Sequence, residues 1–490
     1  MSRMQYFALF MRSLAETSNM KSQTCMMLST LLAVVWLLAP GPVQGAGEVP
    51  TVPWEVRQES LSNGLKILLL RDTRAPVVTC MVWYRVGARN ERLGMTGLAH
   101  LLEHMMFKGT PDYSATAFSN LIQSHGGRHN AFTNQDSTAY FERLAADQLE
   151  VALKLEADRM QNLLLDATAF TLEHQVVQEE RRLRVDDQPV AFLWEALRAT
   201  AYQAHPYGWP VIGWSTDLQK LTVEAARQFY DTYYVPNNAV LVLVGDFEAE
   251  VTLARIREYF GPIPGAPVPP AVLAQEPEQH GERRVTVRRP ARLPYVAAVY
   301  HVPTYVHADA YALDVMGELL GGGQSSRLEI ALQRQQQLVF AIGAGYPGVS
   351  IDAGLFTIYA QPRPGVSVAD VEAAIWEEVT RLKHTPPAAE ELERIKRRLT
   401  AEYVLRLDSQ FYRALALGQA EMAGSWQWLT TYLARIAAVT ASDVQRVART
   451  YLTTENRTVG ILDPLPIQEG VAQPPPAASS ASPVHGGHMP

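Results

Sequence analysis

Residues 222–244 read TVEAARQFYDTYYVPNNAVLVLV, and residues 440–462 read TASDVQRVARTYLTTENRTVGIL. Each stretch opens on a threonine suited to cap a helix, passes through Thr-Tyr into a polar turn around an asparagine, and ends in a strand-like run. Thr222 and Thr440, Thr232 and Thr450, and Asn238 and Asn456 all stand 218 residues apart. Self-similarity at a fixed offset is the mark of one structural unit used twice. Between the copies, the stretch from Gly261 to Pro277 is rich in proline and breaks all periodicity, as an extended, semi-rigid linker does. The sequence therefore predicts two homologous domains, over residues 53–262 and 285–465, joined by a linker over 263–284.

Outward from the repeat, the first unit begins with short β-rich runs at Leu65–Leu70 and Val77–Tyr84. Long helical patterns follow at Asp147–Leu165 and Ala167–Val185. Strands in runs followed by helices in runs argue an α+β layout, each domain a mostly antiparallel sheet packed with helices, rather than a doubly wound parallel sheet. With 490 residues, 47% hydrophobic and 19% charged, the chain has material for two cores. A net charge of −7 and the lack of a basic stripe interleaved with aromatics exclude nucleic-acid binding.

The ends read differently. Lys21 precedes an apolar run from Met26 to Ala39, which Pro40, Gly41 and Pro42 break and the small residues Gly45 and Ala46 follow. Such a run is short for a bilayer span and suits an export signal over residues 1–46, with Met20 as an alternative start and a membrane anchor as the competing reading. Export places the mature chain outside the cytoplasm, in a periplasm or its equivalent. Cys25 falls within the signal, so Cys80 alone remains; it sits in an apolar run and reads as a buried packing residue. Residues 466–490 read as a flexible tail, in which His485 and His488 could hold a metal only weakly.

The chemistry concentrates in His100-Leu101-Leu102-Glu103-His104. On a helix, residues four apart share a face, so both imidazoles can reach one metal ion, and Glu103 leans toward the same side. Neutral imidazoles suit zinc, and a carboxylate that is not a ligand can take a proton from water. Apolar neighbours on both sides predict a largely buried helix, where unpaired polar groups would be costly without such a reason.

The whole stretch from Gly97 to Thr110, with its H-L-L-E-H core, resembles the signature of the inverzincins, the pitrilysin and insulinase family of zinc metallopeptidases. The resemblance implies one zinc ion per chain, held by His100, His104 and a glutamate on a later helix. Its family spacing from His104 falls on Glu180, with Glu179 a weaker candidate. Glu173, two helical turns earlier on the same face, matches a further family glutamate that supports the site from behind the ligands. Glu103 takes the role of general base. Gly126 to Thr133 resembles the turn and edge strand on which these enzymes lay an extended substrate, which makes Asn130, Ala131 and Phe132 the substrate-binding candidates.

The second half lacks a zinc motif and, on this resemblance, departs from active relatives in one respect. Where they carry an arginine and, seven residues later, a tyrosine directed at the reacting carbonyl, this chain has Gln333 and Phe340; a slip of one residue would bring Arg334 to the first position but no tyrosine to the second. The resemblance therefore implies a zinc-dependent endopeptidase for unstructured peptides, working with a related chain that supplies the arginine and tyrosine, as in the divided mitochondrial processing peptidase. The alternative is a weakly active or inactive scaffold subunit of a larger complex.

Overall fold

The computed structural model describes residues 51–467. The expected export signal, including the alternative start at Met20, and most of the expected tail, with His485 and His488, lie outside the described residues. No helix among the described residues is long and apolar enough to cross a membrane.

Two sheets organise the protein. The first contains β1 (Arg57–Ser60), β2 (Lys66–Arg71), β3 (Val77–Tyr84), β4 (Arg128–Thr133), β5 (Thr138–Ala145) and β6 (Ala239–Gly245), in the order β1-β2-β6-β3-β5-β4. The second contains β7 (Arg283–Pro290), β8 (Tyr295–Val302), β9 (Val339–Gly345), β10 (Gly354–Pro362) and β11 (Arg457–Leu465), in the order β7-β11-β8-β10-β9. Without β1, the two orders are the same. Each sheet has one parallel pair, β2 with β6 and β7 with β11, and is otherwise antiparallel. The α+β class with two homologous units follows directly. Residues 264–280 between the sheets form neither helix nor strand.

The repeat seen in the sequence is the closing element of each unit. Thr222 and Thr440 cap their helices, Val223–Tyr233 and Ala441–Tyr451, by accepting from Ala225 and Asp443 backbone amides. Asn238 and Asn456 donate to Tyr233 and Tyr451 carbonyls at 2.9 and 2.8 Å, tying each helix end to the strand that follows. These bonds satisfy carbonyls that a helix C-terminus would otherwise leave unpaired.

The central strands β2, β3, β6 and β8 read as nearly continuous apolar runs because both faces of each sheet are covered. On the front of the first sheet, Ile67, Leu69, Cys80, Val82, Tyr84, Leu241 and Leu243 pack with the helices of their own half, and Cys80 is fully buried there as expected. The back is covered from elsewhere. Leu68, Leu70, Met81, Trp83, Val240 and Val242 meet Ala414, Leu415, Leu417 and Ala420 of the helix Gln410–Met422, which belongs to the second half. Reciprocally, Leu193, Leu197 and Ala201 of the first-half helix Pro189–Ala201 pack on Val287, Ala297, Val299 and Leu462 behind the second sheet. Each such leucine contributes about 1.5–3 kcal/mol of burial. Close approach matters as well: a Cβ on Gly418 would stand 2.1 Å from the Trp83 indole. Glu421, nearly buried, reinforces the contact by pairing with Lys66 at 2.7 Å and Arg85 at 2.9 Å.

Candidate metal centre

The helix Leu98–Met105 starts abruptly at Gly97, whose φ of +90° only glycine adopts without strain, and where a Cβ would lie 2.6 Å from the Ile212 carbonyl oxygen. Gly97 has no side chain to cap the helix. Glu91 substitutes from a distance, its buried carboxyl accepting from the Gly97 and Ala99 amides at 2.8 and 2.7 Å. Burial pushes the Glu91 carboxyl up to about 8, against the pull of those amides.

Leu98, Ala99, Leu101, Leu102 and Met105 turn into the core. The helix is largely buried, as expected; His100, Glu103 and His104 share its other, half-buried face, as an apolar stripe on one side of a short helix allows. The partly buried position suits groups that must meet both an ion and a substrate.

A second helix, Ala167–Arg181, supplies the carboxylates. Asp166 caps it by accepting from the Thr168 and Ala169 amides. It buries Phe170, Glu173, Val177 and Arg181, and Arg181 is anchored by Glu195 and the Gly213 carbonyl. The expected helix continued to Val185; the α-helix ends at Arg181 and a π-helical turn, Arg182–Asp186, carries the chain on.

The structure brings together His100, His104 and Glu180, whose ligand atoms all lie within 4.8 Å of one another. Glu180 Oε2 stands 3.3 Å from His104 Nε2 and 3.9 Å from His100 Nε2. Glu173 Oε2 lies 3.1 Å from His104 Nδ1, on the far side of the ring. Glu179 is not part of the cluster; it is exposed and pairs with Arg182 at 2.7 Å. Glu103 stands beside the cluster, its Oε2 accepting from Thr133 Oγ1 at 2.6 Å. Thr133 ends β4, which pairs only with β5 and so forms the sheet edge. Asn130, Ala131 and Phe132 lie along that strand: Asn130 Oδ1 accepts from the Ala131 amide, and Phe132 packs edge-on to Trp83.

The electrostatics match a cation site. Burial, with His104 nearby, pushes His100 down to about 4, so it is neutral near pH 7. Burial alone would lower His104 too, but its bonds to Glu180 and Glu173 outweigh it and raise the ring. Burial raises Glu103 above the usual carboxylate range, which makes it a better proton acceptor. Two imidazole nitrogens and one carboxylate oxygen form the donor set of a catalytic zinc site. The residues present fit zinc.

Four residues that touch the cluster or its helix were not singled out by the sequence: Thr133 on Glu103, Lys108 on Glu173, Arg184 on Glu180, and Glu91 at the helix start. Thr133 and Lys108 were visible only as parts of larger motifs. Arg184 carries a faint signal, standing four residues after Glu180. Glu91 has no local signal at all.

Residues 66–214 match the family model described as Insulinase (Peptidase family M16), and residues 220–399 match Peptidase M16 inactive domain. The zinc protease PqqE of Helicobacter pylori is 32% identical over 409 residues, covering 83% of this chain and 92% of that protein. The chain belongs to the M16, insulinase-like, family of peptidases. Among M16 relatives, a probable mitochondrial-processing peptidase subunit beta of Arabidopsis thaliana is 27% identical, covering 84% and 79% of the two chains. The crystal structure of a protease from Helicobacter pylori superposes on this M16 protein with a TM-score of 0.82 at 31% identity, covering 84% of this chain and all of that one.

Proposed function

We propose that this M16 protein is a zinc-dependent endopeptidase for unstructured peptides, with one zinc per chain held by His100, His104 and Glu180. The observation that carries the reading is the cluster itself: three donor atoms within 4.8 Å, beside a fourth group, Glu103, tied to an edge strand rather than to the cluster. Zinc bound there would supply a Lewis acid that polarises a carbonyl oxygen and acidifies water.

The chain's own residues supply the rest. An extended peptide adds to β4 through main-chain hydrogen bonds, passing Asn130, Ala131 and Phe132. Thr133 holds Glu103 Oε2, which leaves Oε1 to take the proton from the attacking water and return it to the leaving amide nitrogen. Glu173 accepts from His104 Nδ1 and so would leave Nε2 to hold a bound zinc ion.

Stabilisation of the developing oxyanion is the incomplete part. Gln333 lies in a π-helical turn, Glu329–Gln335, and Phe340 is 48% exposed on β9, under the Arg363 guanidinium. Neither supplies a charged or hydroxyl donor, so the reading includes a related partner chain that contributes an arginine and a tyrosine. Export to the periplasm belongs to the same reading. A second reading, a scaffold subunit with little activity, draws on the same two residues.

Cleavage of mixed unstructured peptides, read by mass spectrometry with zinc present, separates the two. Activity that needs a related co-purifying chain and vanishes in Glu103→Gln supports the divided peptidase. Strong activity of the wild type alone sinks the partner requirement. Zinc binding with no cleavage under any condition favours the scaffold.

A further inference from the structure

Glu180 and Glu173 each divide their two oxygens in the same way. The inner oxygen, Oε2 in both, faces a histidine; the outer one, Oε1, is held by a cation. Arg184 Nη1 stands 2.6 Å from Glu180 Oε1, and Lys108 Nζ stands 2.5 Å from Glu173 Oε1. We propose that Lys108 and Arg184 are positioning residues of the metal centre, each restricting one glutamate to a single inward oxygen. This rests on the zinc reading above.

For Glu180 the consequence concerns coordination number. Two imidazoles and a carboxylate using both oxygens would fill four positions, whereas a catalytic zinc keeps three protein ligands and an open one. At bond lengths of about 2.0–2.2 Å, tetrahedral donors stand roughly 3.3–3.5 Å apart. Glu180 Oε2 comes near this spacing from both imidazoles, at 3.3 and 3.9 Å, while Oε1 is turned away to Arg184. Arg184 reaches back from the π-helical turn that replaces the end of the helix. Its side chain is 74% exposed, so the pair adds little stability, and its effect is one of direction.

For Glu173 the consequence concerns the orientation of a ring. His104 presents Nε2 to the ion only while Nδ1 carries the proton and donates outward. Glu173 receives that proton's hydrogen bond. Lys108, four residues beyond His104 and just past the helix end, closes a chain of three: ammonium, carboxylate, imidazole. Without Lys108, Glu173 could rotate about its terminal bond or turn toward solvent, and His104 would lose its fixed orientation.

The test uses the full mature chain, purified as wild type, Lys108→Ala, Lys108→Arg, Arg184→Ala and Arg184→Lys. Zinc dissociation constants come from competition with a chromogenic chelator, and coordination number from the visible spectrum of the cobalt-substituted protein. Melting of the metal-free forms serves as the folding control. Lys108→Ala should weaken zinc binding by about ten- to hundredfold, with Lys108→Arg recovering most of it. Arg184→Ala should change affinity by only a few fold but weaken the cobalt d–d absorption, as four-coordinate geometry gives way to five; Arg184→Lys should keep the wild-type spectrum. Wild-type affinity in Lys108→Ala together with an unchanged cobalt spectrum in Arg184→Ala overturns the proposal. So does a loss of affinity matched by a lower metal-free melting point and not recovered by Lys108→Arg, because that marks a folding defect. If the wild type itself binds no zinc, the zinc reading fails and this refinement falls with it, an outcome distinct from intact zinc binding by the wild type with no change in the variants.

Discussion

The two halves place the same pair of helices at the same steps of the chain, and fill the gap between them differently. In the first half, the helix after β3 presents His100 and His104, and the helix Ala167–Arg181 presents Glu180 to them. In the second, the helix after β8, Ala310–Gly321, carries Asp314 and Glu318, also four residues apart. There the helix Ala389–Arg406 presents Arg398, 3.4 Å from Glu318 and 2.7 Å from Glu402. Asp314 is taken by the Tyr305 and Tyr432 hydroxyls. One scaffold thus supports two arrangements: a donor set with room for an external cation, and carboxylates already met by the protein's own guanidinium and hydroxyls. The scaffold fixes where the helices meet; a handful of side chains decides what the meeting point holds.

The sharpest way to break this comparison is to make the matching change in each half. Glu103→Gln should lower kcat for peptide cleavage by about 10²–10⁴-fold, the usual contribution of a general base, with zinc still bound. Glu318→Gln should leave kcat within a few fold. Equal losses in the two variants would show that the second half takes part in the chemistry.

The halves should look alike, by contrast, where they cover each other. Leu193→Ala and Leu417→Ala each remove a fully buried leucine from opposite sides of this exchange. Both should destabilise the protein by about 2–5 kcal/mol in denaturant unfolding, in one shared transition. Two separate transitions, each moved by one variant, would contradict the interlocked packing. A smaller effect tests the tightest contact: Gly418→Ala forces a methyl against Trp83 and should cost about 1–3 kcal/mol.

The last test concerns pH. Glu91 has a folded-state value of about 8, above its ordinary 4.5, so it binds its proton more tightly in the folded chain. Its contribution to stability is whole below about pH 4.5 and drains away as the pH rises toward 8. Glu91→Gln should flatten the fall in melting temperature across that window. A profile parallel to the wild type would show that Glu91 is already ionised in the fold.

What could be read in advance follows from how local each signal is. His100, Glu103 and His104 stand out through helical period alone, and Glu180 through a family spacing that ends on the glutamate lying with the two histidines, while Glu179 pairs with Arg182. The duplicated units were legible because Thr222, Thr440, Asn238 and Asn456 do the same capping and tying in both copies. Lys108 and Glu91 were not legible in their roles. The partner of Lys108 lies on another helix, and Glu91 caps a helix across an intervening glycine turn. Nor did the sequence disclose that helices trade sheets. A run such as Ala414 to Leu417 shows that a helix will be buried, but not which sheet will bury it. The helical run read as Ala167–Val185 is helical throughout, but period alone does not show that its last turn, Arg182–Asp186, loosens into a π-helix.

The exchange of helices also says something about the chain's continuity. Each half contributes a bar that lies across the other's back, so the joint is made by packing and not by the connecting segment of residues 264–280. A protease that nicks this stretch should therefore leave a particle of unchanged size and activity, separable into two pieces only by denaturant. Either piece made alone would carry an uncovered apolar sheet face, Met81 and Trp83 on one, Ala297 and Val299 on the other. The linker is dispensable once folding is done; the clasp is not.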